Sequence, residues 1–255
     1  MRSNIQRYIE LLSSITEKEL RVRYKYTTFG FLWMIINPLL QMLIIGFIFA
    51  FIMRQQVENY YPYLFVGLLT WNFFSLTVTK ATPSVVNERS LIKKSQFPRS
   101  VIPMSILVSN LVHYLISISL LVAYVIVTGT FALQRLHIFF AAIVILAVFT
   151  YGFVLITSAL DVKYRDVAFF TQTMLTLWFY TTPIIYPLSF IPQHIQWMWS
   201  VNPLVAVLSL LHYVFLGFAL PPTHVWLSAS VIAVITCLVG ILFFRRESAD
   251  FDDWV

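Results

Sequence analysis

Long apolar runs separated by short polar segments dominate the sequence. A helix that crosses the hydrocarbon core of a bilayer needs about 20 predominantly apolar residues. Six runs approach or exceed this length, and none contains Lys, Arg, Asp or Glu: residues 31–53, 61–79, 101–128, 137–160, 167–186 and 225–244. The pattern predicts an all-α integral membrane protein with six transmembrane helices.

The segment 187–224 carries no charge, but prolines interrupt it. Its longest apolar run, 204–220, would reach only about 25 Å at about 1.5 Å per residue, which is short for a seventh span. We therefore expect two short re-entrant helices, near 193–200 and 204–218, before the last span. They are candidates for an outer gate, and the alternative is a cap on the outer surface with tryptophans as interface anchors. The candidate residues are Pro187, Trp197, Trp199 and Pro203.

The N-terminal segment has a different pattern, because its apolar residues recur with helical spacing and its polar residues lie on the other face. Residues 3–20 are predicted to form an amphipathic helix in the membrane interface, followed by RVRYKY (21–26) at headgroup level. We divide the single domain, 1–255, into a lead-in (1–30), five spans (31–186), the gate region (187–224), the last span (225–244) and a tail (245–255).

Composition supports a membrane protein and suggests its orientation. Hydrophobic residues make up 59% of the chain and charged residues 11%, and the net charge is +6. Only Arg54 and Arg135, of the 17 Lys and Arg, lie in the first, third and fifth loops. The positive-inside rule then places both termini and the loops at 80–100 and 161–166 in the cytoplasm. The basic charge is therefore attributed to segments that face the anionic cytoplasmic leaflet of the inner membrane, and no nucleic-acid partner is expected.

Several kinds of chemistry are not indicated. Uncharged spans disfavour a proton- or sodium-coupled carrier. The scattered histidines and the single Cys237 suggest neither a metal site nor catalysis. Asp161 and Asp166 flank Lys163 and Arg165, which favours a salt-bridged turn. No phosphate-binding loop is present, so a transporter would take its energy from another protein.

The segment 80–103 is the one long charged stretch between two apolar runs. Thr82 as N-cap, Pro83 at the first helical position and Pro98 at the stop predict a helix over 82–97. Such a helix suits a soluble partner, and a basic loop that only fixes orientation is the alternative. Its basic residues are Lys80, Arg89, Lys93, Lys94 and Arg99, against the single acid Glu88.

Polar and aromatic residues form stripes at i, i+4, i+8 on two spans, and each stripe occupies one helix face. The stripes are Trp33, Asn37 and Gln41 on the first span, and Gln172, Thr176 and Tyr180 on the fifth. Shorter series of polar residues lie within the second span (Asn72, Ser75, Thr79) and the third span (Ser109, His113, Ser117). They fit either helix–helix packing or a pathway for a neutral, hydroxyl-rich substrate such as a sugar.

Five motifs occur in order along the chain: GFLWMIINPLL (30–40), LIKKSQFPRSVIP (91–103), LDVKYRD (160–166), TTPIIYP (181–187) and NPL (202–204). Together they resemble the membrane subunit of type-2 ATP-binding-cassette exporters, in the branch that exports O-antigen, capsule and teichoic-acid polysaccharides.

This resemblance implies a homodimer with two copies of a separate ATPase, which would bind ATP and Mg. It also implies that the first and fifth spans line the channel, that the two short helices form the outer gate, and that the N-terminal helix and the 82–97 helix contact the ATPase. The expected coupling residues are Glu88, Arg89, Lys93 and Lys94.

The leading hypothesis is export of a lipid-linked polysaccharide across the cytoplasmic membrane. An exporter of a drug, antibiotic or lipid is the alternative within the class. A membrane enzyme or scaffold is the alternative outside it.

Overall fold

The computed structural model describes residues 4–25, 28–52, 59–94, 97–129, 133–192, 194, 197 and 201–251. This part of the chain consists of helices joined by turns and short extended segments, and it contains no strand. Its helices are α1 (Asn4–Tyr24), α2 (Trp33–Ile52), α3 (Tyr60–Ala81), α4 (Ser84–Asn87), α5 (Arg89–Lys94), α6 (Val101–Val127), α7 (Leu136–Lys163), α8 (Asp166–Thr181), α9 (Pro203–Leu216) and α10 (Thr223–Glu247).

Among the described residues, four helices are long and apolar enough to cross a membrane: α3, α6, α7 and α10. The all-helical membrane architecture is thereby confirmed, whereas the count of six spans is not. Helix α2 contains a shorter apolar stretch, Ile35–Phe49, and occupies the position of the first predicted span.

Helix α8 is shorter than the predicted fifth span. It ends at Thr181, and Thr182 is extended, with φ −95° and ψ 133°. Pro183 explains this end, because the ring of a proline disfavours helical angles at the residue before it. The 16 residues of α8 rise about 24 Å, short of a hydrocarbon core of about 30 Å.

Helix α3 lies at the centre of the bundle, where it packs against α2, α6, α7, α8 and α9. Its side chains are buried on nearly all sides, with Leu64 and Phe74 fully enclosed. Helices α7 and α10 pack against each other most extensively. Their backbones meet at Gly152 and Gly240, where an added Cβ atom would overlap backbone atoms of the opposite helix.

Helix α9 corresponds to the second of the two predicted short helices. The Asn202 side chain caps its first turn by accepting a hydrogen bond from the Leu204 N–H at 3.1 Å. Gly217 ends it with a left-handed φ of 72°. It is buried between α3, α7 and α10. The other predicted helix, 193–200, lies outside the described residues except for 194 and 197.

The predicted single helix over 82–97 is wrong, because the segment forms α4 and α5 with a break at Glu88 (φ −94°, ψ 25°). Thr82 is not an N-cap. Its hydroxyl donates to the Val78 carbonyl at 2.8 Å and lies 3.0 Å from Thr157 Oγ1, so it closes the end of α3.

Both short helices are fixed by a buried apolar cluster at the charged end of the bundle. This charged-end cluster joins residues of α4, α5, α6, α7 and α10 to the chain just beyond α10, and its members are Val85, Ile92, Ile102, Leu155, Ala159, Val162, Phe244 and Phe251. The segment 82–94 is therefore held by packing and is not a free loop.

The predicted amphipathic helix is present as α1 and extends to Tyr24, four residues further than expected. It packs along α6 and buries Ile15 and Thr16, while Ile9 and Val22 stay exposed. One face of α1 is thus attached to the bundle.

Candidate functional site

Two adjoining cavities lie between α2, α3, α6 and α8. The first has a volume of about 500 Å³ and is walled by α2, α3 and α6. The second has a volume of about 520 Å³ and is walled by α2, α3 and α8. Gln41, Asn72, Ser75 and Thr79 line both, so the two cavities form one continuous groove.

The structure brings both predicted stripes to this groove. Trp33 and Asn37 line the first cavity, and Gln172, Thr176 and Tyr180 line the second. Gln41 joins the two, since it lines both cavities.

A hydrogen bond between amides fixes the floor of the groove. The Asn72 Nδ2 donates to Gln41 Oε1 at 3.0 Å, which ties α3 to α2. Asn72 therefore belongs to the candidate site together with Ser75 and Thr79 of the same helix. Sequence reasoning had identified this series without assigning it to the pathway, and its i, i+3, i+7 spacing was the signal.

Several side chains of the groove are exposed. Asn37, Gln172 and Thr176 are exposed, and Tyr180 is 64% exposed. The Thr176 hydroxyl donates to the Gln172 carbonyl at 3.1 Å, so its donor is satisfied within the helix. The ring of Trp33 meets Phe29 edge to face, with centroids 5.6 Å apart. The groove thus presents flat aromatic faces beside amides, a combination suited to sugars.

Arg23 is a lining residue that sequence reasoning did not assign to the site. It was assigned to the headgroup region with the rest of RVRYKY, yet it lines the first cavity. Its guanidinium donates to Asn110 Oδ1 at 2.5 Å and also to His113 Nδ1. Both acceptors lie on α6, against which α1 packs. The polar series on the third span was the available signal for such a partner.

Tyrosines fix the chain that follows α8, at the end of the bundle opposite the charged-end cluster. The Tyr63 hydroxyl lies 3.0 Å from the carbonyl oxygens of both Pro183 and Tyr186, which share its single proton, and Tyr60 donates to the Ile185 carbonyl at 2.9 Å. His212 of α9 stacks on the Tyr63 ring at 4.0 Å between centroids. The region predicted as an outer gate is therefore anchored on α3.

The predicted gate residues are placed as follows. Pro187 is half-buried and precedes a single 3₁₀ turn, Leu188–Phe190. Pro203 is the buried first residue of α9, and Trp197 is 66% exposed. Trp199 lies outside the described residues.

The predicted coupling residues lie around the break between α4 and α5. The Lys18 ammonium of α1 pairs with the Glu88 carboxylate at 2.6 Å. Arg89 and Lys93 are exposed on α5, and the side chain of Lys94 is outside the described part of the chain. The segment is thus joined to α1 by charge and to the bundle by packing.

The turn at 161–166 differs from the expected salt-bridged turn. Asp161 Oδ1 accepts a hydrogen bond from the Ala168 N–H at 3.1 Å, so it supports the first turn of α8. Lys163 pairs with Glu247 of α10. The prediction failed because side chains that are adjacent in sequence at a helix end point in different directions. Asp161 therefore accepts from the backbone of α8, and Lys163 pairs with a residue of α10.

Comparisons with known proteins agree with this architecture. Residues 10–216 match the family model described as "ABC-2 type transporter". The chain is 30% identical to an O-antigen export system permease protein RfbA of Myxococcus xanthus, over 97% of this chain and 96% of that protein. It is 34% identical to an RfbA of Klebsiella pneumoniae, over 96% and 95% of the two lengths. A further RfbA of K. pneumoniae is 33% identical over 96% and 95%. The chain therefore belongs to the ABC-2 type transporter family, as its ordered motifs predicted.

Proposed function

We propose that this chain is the permease subunit of an exporter that moves a lipid-linked polysaccharide across the cytoplasmic membrane. ATP hydrolysis in a separate subunit, which binds ATP and Mg, drives the transport. The names of the relatives support the cargo, because each is an O-antigen export permease.

The observation that carries the proposal is the polar groove open along α2 and α8. Exposed amides such as Asn37 and Gln172 cannot face hydrocarbon without losing their hydrogen bonds to water, which costs several kcal/mol per group. They must instead face water, substrate or protein. A neutral, hydroxyl-rich chain satisfies these groups and stacks on Trp33 and Tyr180.

A second copy of the same chain is the partner that closes the groove. Apolar side chains flank the exposed polar residues on both helices, including Leu43 and Phe47 of α2 and Phe170 and Leu177 of α8. Two subunits facing each other bury these flanks and enclose the two grooves as one pathway. In this homodimer α2 and α8 are the first and fifth of six spans.

The charged end of the bundle faces the cytoplasm in this proposal. The positive-inside rule supports that orientation, with both termini on the same side. Two copies of the ATPase dock against α4, α5 and α1. Helix α9 and the anchored segment after α8 form the outer gate.

Deletion of the gene tests the cargo. We expect loss of the surface polysaccharide together with accumulation of a lipid-linked polymer inside the cell. Normal surface glycan without intracellular polymer would rule out the proposed export.

Substitution in the groove tests the pathway. Gln172→Leu removes an amide of the groove, whereas Thr173→Val changes the adjacent exposed residue, which does not line it. Because one hydrogen bond contributes about 1 kcal/mol, we expect export to fall by about fivefold for Gln172→Leu and to stay normal for Thr173→Val. Equal export by both variants, at equal abundance in the membrane, would remove Gln172 from the pathway.

A further inference from the structure

Arg23 is fixed in the cavity wall by a chain of hydrogen bonds that ends on a buried residue of α3. Its guanidinium donates to Asn110 Oδ1 at 2.5 Å, and Asn110 Nδ2 donates to Thr77 Oγ1 at 3.0 Å. Asn110 is 2% exposed and Thr77 is fully buried. The amide is therefore held with its oxygen toward α1, and the guanidinium is oriented before any ligand arrives.

The second described acceptor of the guanidinium is also neutral. Arginine can only donate hydrogen bonds, so His113 Nδ1 must accept and the ring proton lies on Nε2. Both of these contacts are therefore with uncharged acceptors.

The cavity around Arg23 is suited to an anion. No acidic residue occurs among the described residues that line it, whereas amide and hydroxyl donors do: Asn37, Gln41, Ser75 and Ser117. Lys80 lies close enough to interact electrostatically with Arg23 and His113, and Glu19 is the acid that faces Lys80. A guanidinium presents paired N–H donors that match phosphate oxygens.

The position of the cavity indicates which phosphate it receives. Arg23 belongs to the amphipathic helix α1, which the sequence predicts to lie in the membrane interface, and the same cavity continues into the groove between α2 and α8. A ligand with a lipid tail, a phosphate head and a sugar chain places each part in a matching environment.

We propose that the Arg23 cavity binds the phosphate head of the lipid-linked substrate. The anion contacts Arg23 and the cavity amides, while the attached sugars enter the groove. This assignment rests on the proposed function, because it takes the transported molecule to be lipid-linked.

Binding of a prenyl diphosphate to the purified full-length chain tests the site. The protein is placed in nanodiscs of zwitterionic phosphatidylcholine, and the affinities of geranylgeranyl diphosphate, geranylgeraniol and inorganic pyrophosphate are measured by thermophoresis. We expect wild-type protein to bind the prenyl diphosphate at least about tenfold more tightly than either other probe.

Two variants locate the site. Arg23→Gln removes the cavity charge, and Arg21→Gln removes an exposed arginine two positions away, which pairs with Glu17 on the surface. We expect Arg23→Gln to weaken diphosphate binding about tenfold or more without changing geranylgeraniol binding, and Arg21→Gln to bind within about twofold of wild type.

Three outcomes would overturn the assignment: unchanged diphosphate binding by folded Arg23→Gln, equally tight binding of the alcohol, or equally tight binding of pyrophosphate. The last two are measured on wild-type protein, so they decide the question even where the variant fails to fold. The binding assay is also independent of gene deletion. Normal surface glycan after deletion removes the proposed export function, whereas failure of binding removes only the site.

Discussion

The contact between Gly152 and α10 allows a quantitative prediction. A Cβ atom at Gly152 would lie 2.5 Å from both the Cα of Cys237 and the carbonyl carbon of Thr236, whereas ordinary contact begins at 3.4 Å. These are backbone atoms and cannot rotate away. For Gly152→Ala, α7 and α10 must therefore separate by about 0.9 Å at the crossing.

A gap of this size has a known cost. Opening a packed contact by about 0.5–1 Å forfeits a quarter to a half of the dispersion energy of the atoms involved, and overpacked cores typically lose about 1–3 kcal/mol. Replacing glycine by alanine inside a helix also gains up to about 1 kcal/mol of helix propensity. A control with the same gain is needed to isolate the packing cost.

Gly46→Ala is that control. Gly46 also lies in a helix, and the three atoms nearest to its added Cβ all belong to the ring of Tyr61, a side chain that is 40% exposed and able to move. Each 1 kcal/mol shifts the midpoint by about 2–4 °C in a protein of this size. We therefore expect Gly152→Ala to unfold about 2–12 °C below Gly46→Ala in thermal unfolding of the detergent-solubilised protein. Midpoints within about 1 °C of each other would refute the tight crossing.

Three further predictions concern the segment 82–94 and the tyrosine contacts at the opposite end of the bundle. The double variant Lys93→Glu, Lys94→Glu reverses two charges and should abolish ATP-driven export, whereas arginine at both positions should preserve it. Normal ATPase binding and export by the charge-reversed variant would exclude a coupling role for these lysines. Lys18→Glu should impair export because it breaks the ion pair with Glu88, which contributes up to about 1 kcal/mol at this partly exposed site. Adding Glu88→Lys re-forms the pair with reversed charges and should restore export. If the double variant does not recover export, the ion pair has no role in transport. Tyr63→Phe removes the single hydroxyl proton that the Pro183 and Tyr186 carbonyls share, so we expect a loss of about 1 kcal/mol in the free energy of unfolding, and an unchanged denaturation midpoint would contradict its importance.

Much of the fold could be read from the sequence because hydrocarbon imposes simple rules. Apolar length and the exclusion of charge located the helices, although the length of α8 was overestimated. Pro183 was a visible signal for its end, since the residue before a proline leaves the helical region. The capping of α9 by Asn202 and Gly217 also follows from local rules.

The candidate site could be predicted only in part. Spacing of four residues placed Gln172, Thr176 and Tyr180 on one face of one helix, because that is a property of the helix itself. That this face adjoins Gln41 depends on how α2 and α8 pack around α3, and spacing carries no information about such packing.

Arg23 and Glu88 show the limit most clearly. Nothing local distinguishes Arg23 from Arg21, and only the partners on α6 place one in a cavity and leave the other on the surface. The break at Glu88 likewise coincides with its ion pair to Lys18, which lies 70 positions earlier in the chain.

The charged-end cluster has a consequence for engineering and for the exchange of segments between relatives. Val85 and Ile92 share one buried interior with Phe244 and Phe251, and the Arg99 guanidinium donates to the Ser248 carbonyl while lying 5.8 Å from the Phe251 ring centroid. Residues this close do not vary independently, since a change of shape in one must be matched by the others. A chimera that imports α4 and α5 from a relative must therefore import the end of α10 and the chain through Phe251 with them.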